Sequence, residues 1–113
     1  MERRNHALHA PRFTLHIMGV FMERKLLVVD LTHGKITEPT IDPAYARDFI
    51  GGSGLGVRLL WDSLDPKRDP LDPASPLLWI TGPLTGTGGP TTGRFSICAR
   101  SPLTGLWGES NIG

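Results

Sequence analysis

The sequence predicts an α+β fold, mostly antiparallel β with one helical pair between strands. Short apolar runs with β-branched content, KLLVVDL at 25–31, LLWIT at 77–81 and RFSICAR at 94–100, are each bounded by Gly, Pro or Asp turn signals. Between the first two runs, residues 42–64 show the three- and four-residue spacing of helices. The 14 Gly and 10 Pro, about a fifth of the chain, exceed the usual share and demand many turns and short elements.

At 113 residues the chain suits one domain with one modest core. A formal net charge of +1 gives no electrostatic footprint for a polyanion, so nucleic acid is not an expected partner. No run approaches the roughly 18 apolar residues of a membrane span, and no membrane association is expected. Cys98 is the only cysteine, which excludes an intrachain disulfide or a multi-thiolate metal site built from this chain; a small buried hydrophobe is favoured over a reactive thiol. Residues 1–21 resemble a poor signal peptide, with Arg3 and Arg4 ahead of FTLHIMGVF, but His16 interrupts the run and no small-x-small cleavage site follows. They are read as a disordered upstream extension or a misassigned start, with the domain opening at Met22 and a cytoplasmic location.

Residues 25–31 and 35–38 form a hairpin about Thr32-His33-Gly34, with His33 solvated on the turn. Asp42 followed by Pro43 starts a helix running to Ile50: an acceptor at the cap, then a residue whose missing N–H costs nothing. Ala46, Phe49 and Ile50 share its apolar face, and Gly51-Gly52 stops it. A second helix spans 54–64, capped by Ser53, with Val57, Leu60, Trp61 and Leu64 as the stripe against the core and Arg58 solvated. The GGSGLG string at 51–56 lacks GxGxxG spacing, a preceding strand and a P-loop lysine, so a tight helix–helix joint is favoured over ligand contact. DPKRDPLDPASP at 65–76 reads as a solvated loop of Asp-Pro turns, favoured over a metal cluster of Asp65, Asp69 and Asp72.

The stretch from Gly82 to Gly113 reads as a surface for a phosphate-bearing cofactor. PLTG occurs at 83–86 and 102–105, and two such turns flanking one strand are expected to bring two sets of free N–H groups near each other. In the strand 94–100, alternation puts Arg94, Ser96, Cys98 and Arg100 on one face, with Phe95, Ile97 and Ala99 on the face expected to meet the core. Arg94 follows Thr91, Thr92 and Gly93, and its planar fork suits phosphate or a polar heterocycle edge; a partnerless surface arginine is equally open. WGESNIG is read as a loop in which Asn111 offers an acceptor oxygen for a cation or phosphate network and Glu109 is a lone carboxylate.

MERKLLVVDLTHGKI, ARDFIGGSGLGVRLL, ITGPLTGTGGPTTGRFSICARSPLTG and GESNIG together resemble the amino-terminal domain of the aldehyde ferredoxin oxidoreductase family, from Met22 to Gly113. The ordered combination of FIGG, GPLTG, GR and SPLTG is specific, whereas each motif alone is weak. The resemblance implies an oxidoreductase that converts aldehydes to carboxylic acids and passes electrons through a 4Fe-4S iron–sulfur cluster to ferredoxin. Its tungsten, or molybdenum, is held by the dithiolenes of two pyranopterins, with this first domain as a base beneath that tungstopterin. It further implies that Arg94 lies between pterin and cluster, that the Asn111 carbonyl oxygen meets the Mg2+ joining the pterin phosphates, and that Ile112 and Gly113 give backbone contacts. The cluster cysteines and active-site acids would lie outside this chain. Residues 22–113 are thus expected to be a partial tungstopterin-binding domain, truncated at its carboxyl end and inactive alone. The remainder of the enzyme, or a companion subunit, would be its partner, and a homodimer of the complete enzyme is compatible with the resemblance. A different class, a non-enzymatic glycine-rich β module binding another phosphate ligand or a protein, also fits the residues.

Overall fold

The structure, a computed structural model, describes the backbone of Phe13–Ile17 and residues 25–113. Local signals build the first half. Strand β2 (Lys25–Asp30) and strand β3 (Lys35–Thr37) pair antiparallel, Asp30 opposite Lys35. The turn between them is closed by the Asp30 carboxylate, which accepts from the N–H groups of Thr32 at 3.0 Å and His33 at 3.2 Å. It also meets the exposed His33 ring at 2.8 Å, a contact that holds the Asp30 carboxyl below its ordinary pKa. Helix α1 (Pro43–Phe49) starts as expected: Asp42 Oδ1 accepts from Ala44 N–H at 2.8 Å and Pro43 holds the first turn. It ends at Ile50, whose φ of 62° is left-handed, and Ile50 is 61% exposed rather than on a core face.

Helix α2 (Gly52–Ser63) begins two residues before the expected start and is not capped by Ser53, which lies inside its first turn. The joint before it is tight, as the glycines predicted: a Cβ on Gly54 would sit 2.9 Å from Phe49 O, and one on Gly51 would sit 3.1 Å from Thr81 O. The buried face is Leu55, Gly56, Leu59 and Leu60, while Val57 and Trp61 of the expected stripe are exposed, Trp61 at 76%. The helix is turned because Gly56 lets it approach the sheet closely; a Cβ there would be 2.9 Å from Cys98 Sγ. Arg58 is not simply solvated. Its guanidinium donates to Tyr45 Oη at 2.9 Å, pairs with Asp62 at 3.2 Å and lies 4.8 Å from the Tyr45 ring centre.

Strands β4 (Leu77–Thr81), β5 (Phe95–Arg100) and β6 (Trp107–Ile112) form an antiparallel meander, and β1 (Phe13–Ile17) joins it to the first hairpin. The sheet order is β3-β2-β1-β4-β5-β6, antiparallel throughout except for the β1–β4 pairing. Thus Phe13–Ile17, inside the segment expected to be a disordered extension, forms an interior strand of the sheet; the expectations for residues 1–12 and 18–24 lie outside the described residues. WGESNI is likewise a strand and not a loop. The two helices lie between β3 and β4 in sequence, and the α+β architecture is as expected.

The helices cover one face of the sheet. Leu26, Val28, Leu78, Ile80 and Cys98 are buried there against Ile41, Leu55, Leu59 and Leu60, with Tyr45, Phe49 and Leu64 packed around them. Ser96 and Cys98 are therefore on the core side and Phe95, Ile97 and Ala99 are half-buried on the other, the reverse of the expected assignment. Close approach of α2 at Gly56 needs small side chains beneath it, and Ser96 and Cys98 are the small ones. The larger residues of the opposite face make their own contacts, with Trp79 stacked on Phe95 at 5.5 Å. Asp65, Asp69 and Asp72 each accept a backbone N–H two residues on, from Lys67, Leu71 and Ala74 at 2.7–2.9 Å, which builds the 65–76 loop. Among the described residues no helix is long and apolar enough to cross a membrane.

Candidate functional site

Because β5 runs antiparallel to both neighbours, its first residue meets the last residues of β4 and β6: Phe95 pairs with Thr81 on one side and Ile112 on the other. The start of α2 sits over the same end. Gly51 lies against Thr81 and Gly82, and a Cβ on Gly52 would fall 3.8 Å from Ser96 Oγ. One rim of the sheet therefore gathers the 51–53 joint, the 82–94 loop and residues 111–113.

The loop is organised by its threonines. Thr85 Oγ1 donates to Thr92 O at 2.9 Å, Thr87 Oγ1 to Leu84 O at 2.7 Å and Thr92 Oγ1 to Gly89 O at 2.8 Å. Gly86 takes φ +84° in the first PLTG turn and Gly105 takes φ +70° in the second, the role expected of both glycines. The two turns nevertheless lie at opposite ends of β5, so they do not bring their N–H groups together. The second belongs to a structural tie. Arg100 donates to Gly105 O at 2.8 Å, to Pro66 O at 3.1 Å and to Arg68 O at 2.8 Å, binding the β5–β6 turn to the 65–76 loop.

At the rim, Arg94 is exposed, and no carboxylate pairs with it among the described residues. It lies against Gly113, where a Cβ would fall 2.7 Å from Arg94 Cγ and 3.1 Å from Nε. Asn111 is opposite Ser96 in the β5–β6 register, and Ser96 Oγ donates to its Oδ1 at 2.7 Å. By alternation Arg94, Asn111 and Gly113 share the helix-facing side. Ile112, paired with Phe95, faces the other way, so only its main chain reaches the rim.

Behind Asn111 lies a polar network that sequence reasoning missed. Asn111 Nδ2 donates to Glu109 Oε1 at 3.0 Å, Ser53 Oγ donates to the same oxygen at 3.0 Å, and Trp107 Nε1 donates to Oε2 at 3.1 Å. Ser53 Oγ is also 3.3 Å from Ser96 Oγ. Each hydroxyl has one proton, and Glu109 and Asn111 Oδ1 take both, so the Ser53–Ser96 contact is the unprotonated one. These donors, the Ser53 hydroxyl first and then the Trp107 indole, hold the Glu109 carboxyl below its ordinary range. Alternation of Trp107, Glu109 and Asn111 was a visible signal for one shared face, hidden by reading the segment as a loop. Cys98, directly behind this network, is fully buried, and burial pushes its thiol up to about 11, as an inert core residue requires.

Chemically, the rim offers a free guanidinium for an anion or heterocycle edge, and an amide oxygen with one lone pair taken by Ser96 and a second remaining for a cation. The N–H groups of Gly86, Gly88 and Gly93 have no acceptor among the described residues.

Residues 26–113 match the family model of aldehyde ferredoxin oxidoreductase, N-terminal domain. The chain is 44% identical over 89 residues to the tungsten-containing aldehyde ferredoxin oxidoreductase of Pyrococcus abyssi (strain GE5 / Orsay), covering 79% of this chain and 15% of that protein. To the enzyme of the same name in Thermococcus kodakarensis (strain ATCC BAA-918 / JCM 12380 / KOD1) it is 38% identical with the same coverages. Among solved structures, the active-site complex BamBC of benzoyl coenzyme A reductase, with 1,5-dienoyl-CoA, superposes with a TM-score of 0.70 at 28% identity, covering 94% of this chain and 14% of that one. The chain thus spans about 15% of the length of the curated relatives it matches.

Proposed function

Because the chain belongs to the aldehyde ferredoxin oxidoreductase N-terminal domain family, we propose that it forms the base beneath a tungsten–pterin cofactor in a larger oxidoreductase. The observation that carries this reading is the meeting of Arg94, Asn111 and Gly113 at one rim, in a loop-rich edge with free main-chain donors. The donor set suits the group. Arg94 would offer its planar fork to the pterin, on the side of an iron–sulfur cluster that residues outside this chain would hold. Asn111 would offer a carbonyl oxygen to Mg2+, a hard-oxygen ligand for a hard cation. Ile112 and Gly113 would contribute main-chain contacts, and the missing Cβ at position 113 leaves room for the Arg94 side chain beside it. When bound, the tungsten–pterin group supplies the two-electron redox chemistry that turns an aldehyde into a carboxylic acid, with a 4Fe-4S cluster and ferredoxin as acceptors. This chain's own residues bind and orient, and the chain alone is inactive. The rest of the enzyme chain or a companion subunit completes the site, in the cytoplasm.

The test is the full-length protein carrying this sequence, purified and assayed for tungsten, molybdenum, iron and pterin. All four absent from a well-folded product would sink the proposal. In that protein Arg94→Ala should reduce cofactor content or electron transfer while leaving the fold intact, since an exposed side chain contributes little packing. Normal metal content with normal activity refutes the role of Arg94.

A further inference from the structure

We infer that Ile50 and Leu84 form an apolar docking point beside the rim, and that its occupant is the part of the same enzyme chain that would hold the iron–sulfur cluster. The identity of the occupant rests on the function proposed above; the docking point itself rests on the geometry of the α1–α2 joint.

A chain leaving a helix can reverse across a single residue in a γ-turn, where the N–H of the third residue donates to the carbonyl of the first. In one of its two forms the central residue takes positive φ, and that form is rare and strained. Ile50 is such a centre. Gly51 N–H donates to Phe49 O at 2.7 Å, and Ile50 has φ 62° and ψ −68°. A β-branched residue is an outlier there, whereas glycine would occupy the region without steric cost. The turn is fixed from both sides. Phe49 packs against the core, edge-on to Tyr45 with ring centres 6.2 Å apart, and its carbonyl is hemmed by Gly54, where a Cβ would fall 2.9 Å away. Gly51 is wedged at the sheet, a Cβ there falling 3.1 Å from Thr81 O and 3.2 Å from Pro83 Cδ. Ile50 therefore stands out between two anchored neighbours, 61% exposed and outside the core cluster, so burial within this chain does not offset the strain.

Leu84 reaches the same place from the other side of the joint. Two successive turns hold it, with Thr85 N–H donating to Gly82 O at 3.3 Å and Thr87 N–H to Leu84 O at 3.2 Å, and it is 56% exposed. Ile50 and Leu84 are thus each one residue from the contact between Gly51 and Pro83. Leu31 and Leu103 are exposed as well, but they sit in hairpin turns without positive φ, and single exposed apolar side chains need no explanation. Ile50 differs because a strained conformation persists where its surroundings over-determine it. Two observations select the occupant. The stretch matched in the Pyrococcus abyssi relative is 15% of that protein, so most of such an enzyme chain lies outside these residues. The loop that carries Leu84 also leads into Arg94, so a segment that brings a cluster to the Arg94 side of the rim comes over Leu84 and Ile50 on the way.

The experiment uses the full-length protein carrying this sequence, as wild type, Ile50→Leu, Ile50→Ala, Ile50→Gly and Leu84→Ala, and reads the thermal midpoint. Two opposed effects give the order of midpoints its meaning. With position 50 in solvent, each step from isoleucine toward glycine relieves the turn, and the midpoint rises. With position 50 docked, the lost contact dominates. Ile50→Leu should then stay near wild type, while Ile50→Ala, Ile50→Gly and Leu84→Ala should each fall by about 2 °C or more. In a second measurement, a leucine-sized diazirine amino acid is incorporated at position 50 and photolysed. The expected cross-link joins it to a peptide of the same polypeptide beyond the N-terminal domain. Ile50→Gly at or above the wild-type midpoint overturns the inference, and so does photolysis that yields only the water adduct. A cross-link to a second copy or to a companion subunit overturns the occupant assigned here. A wild type devoid of tungsten and pterin instead refutes the function proposed above, while the order of midpoints and the cross-link still decide whether Ile50 docks.

Discussion

Gly56→Ala is the substitution whose outcome follows most directly from the packing. The added methyl carbon would lie 2.9 Å from Cys98 Sγ, 3.5 Å from Cys98 Cβ and 3.6 Å from Ile80 Cγ1. Favourable heavy-atom contacts begin at about 3.5 Å, so the first of these is a clash of more than half an ångström. Cys98 is fully buried in an interior strand, opposite Leu78 and Glu109 in register, and has nowhere to retreat. Overpacking of this kind costs about 1–3 kcal/mol. Replacing glycine by alanine inside a helix returns about 1 kcal/mol of propensity. The net expectation is a loss of about 1 kcal/mol, or a fall of roughly 4–8 °C in thermal midpoint for a domain of this size. Cys98→Ala alone removes one buried atom and should cost about 1 kcal/mol. Combined, the alanine methyl occupies the space vacated by sulfur and the helix keeps its propensity gain, so the double variant should be close to wild type. Urea unfolding of the four proteins, with slopes compared to confirm that the exposed surface is unchanged, measures the coupling. Gly56→Ala as stable as wild type, or single effects that add to within about 0.5 kcal/mol, would refute the close approach of α2 to β5.

Cys98, with its thiol pushed up to about 11 by burial, should resist a thiol reagent at pH 8 in the native protein and react on unfolding; rapid native labelling would contradict its burial. Glu109 has a folded-state pKa below the ordinary value, so the stability it contributes is complete above the unfolded carboxylate value, near about 4.3, and is lost as pH falls through the lower folded value. The gap in thermal midpoint between wild type and Glu109→Gln should therefore be widest near neutrality and close in acid, and a gap that widens in acid would be the wrong sign. Arg100→Ala removes three donors to backbone carbonyls of the 65–76 loop and the β5–β6 turn, which should cost about 2–4 kcal/mol. Limited proteolysis should then cut the 65–76 loop first; unchanged digestion would show that the tie is dispensable.

Elements specified by neighbours in sequence were readable from it. Asp42-Pro43 contains both parts of a helix start, and the run ending at Asp30 before Thr32-His33-Gly34 contains both strand and turn, so α1 and the β2–β3 hairpin follow from local chemistry. Orientation relative to the rest of the molecule was not readable. Period-two alternation separates Phe95 and Ile97 from Ser96 and Cys98 without saying which pair meets the helix, and hydrophobicity favours the wrong one. The decision belongs to Gly56, far off in sequence, whose missing side chain brings α2 so near that only small residues fit. The same rotation leaves Trp61 exposed although its spacing suits a core stripe. At the rim, Arg94, Asn111 and Gly113 were identified through a resemblance and their proximity is visible in the fold. Ser53 and Ser96, by contrast, join the site through contacts that span 15 to 56 positions, which no local pattern displays.

The single parallel pairing has a consequence for how the sheet assembles. On one side of it, β1, β2 and β3 are antiparallel neighbours; on the other, β4, β5 and β6 are another three, and every pairing within each set joins strands consecutive in sequence. Only the seam between Phe13–His16 and Leu77–Ile80 joins the two halves of the chain within the sheet. Closing it confines the whole intervening segment, helices included, a loop-closure cost that the local hairpins do not carry. The pairings within each meander close only short loops, so the seam that turns two ribbons into one sheet carries the larger ordering cost.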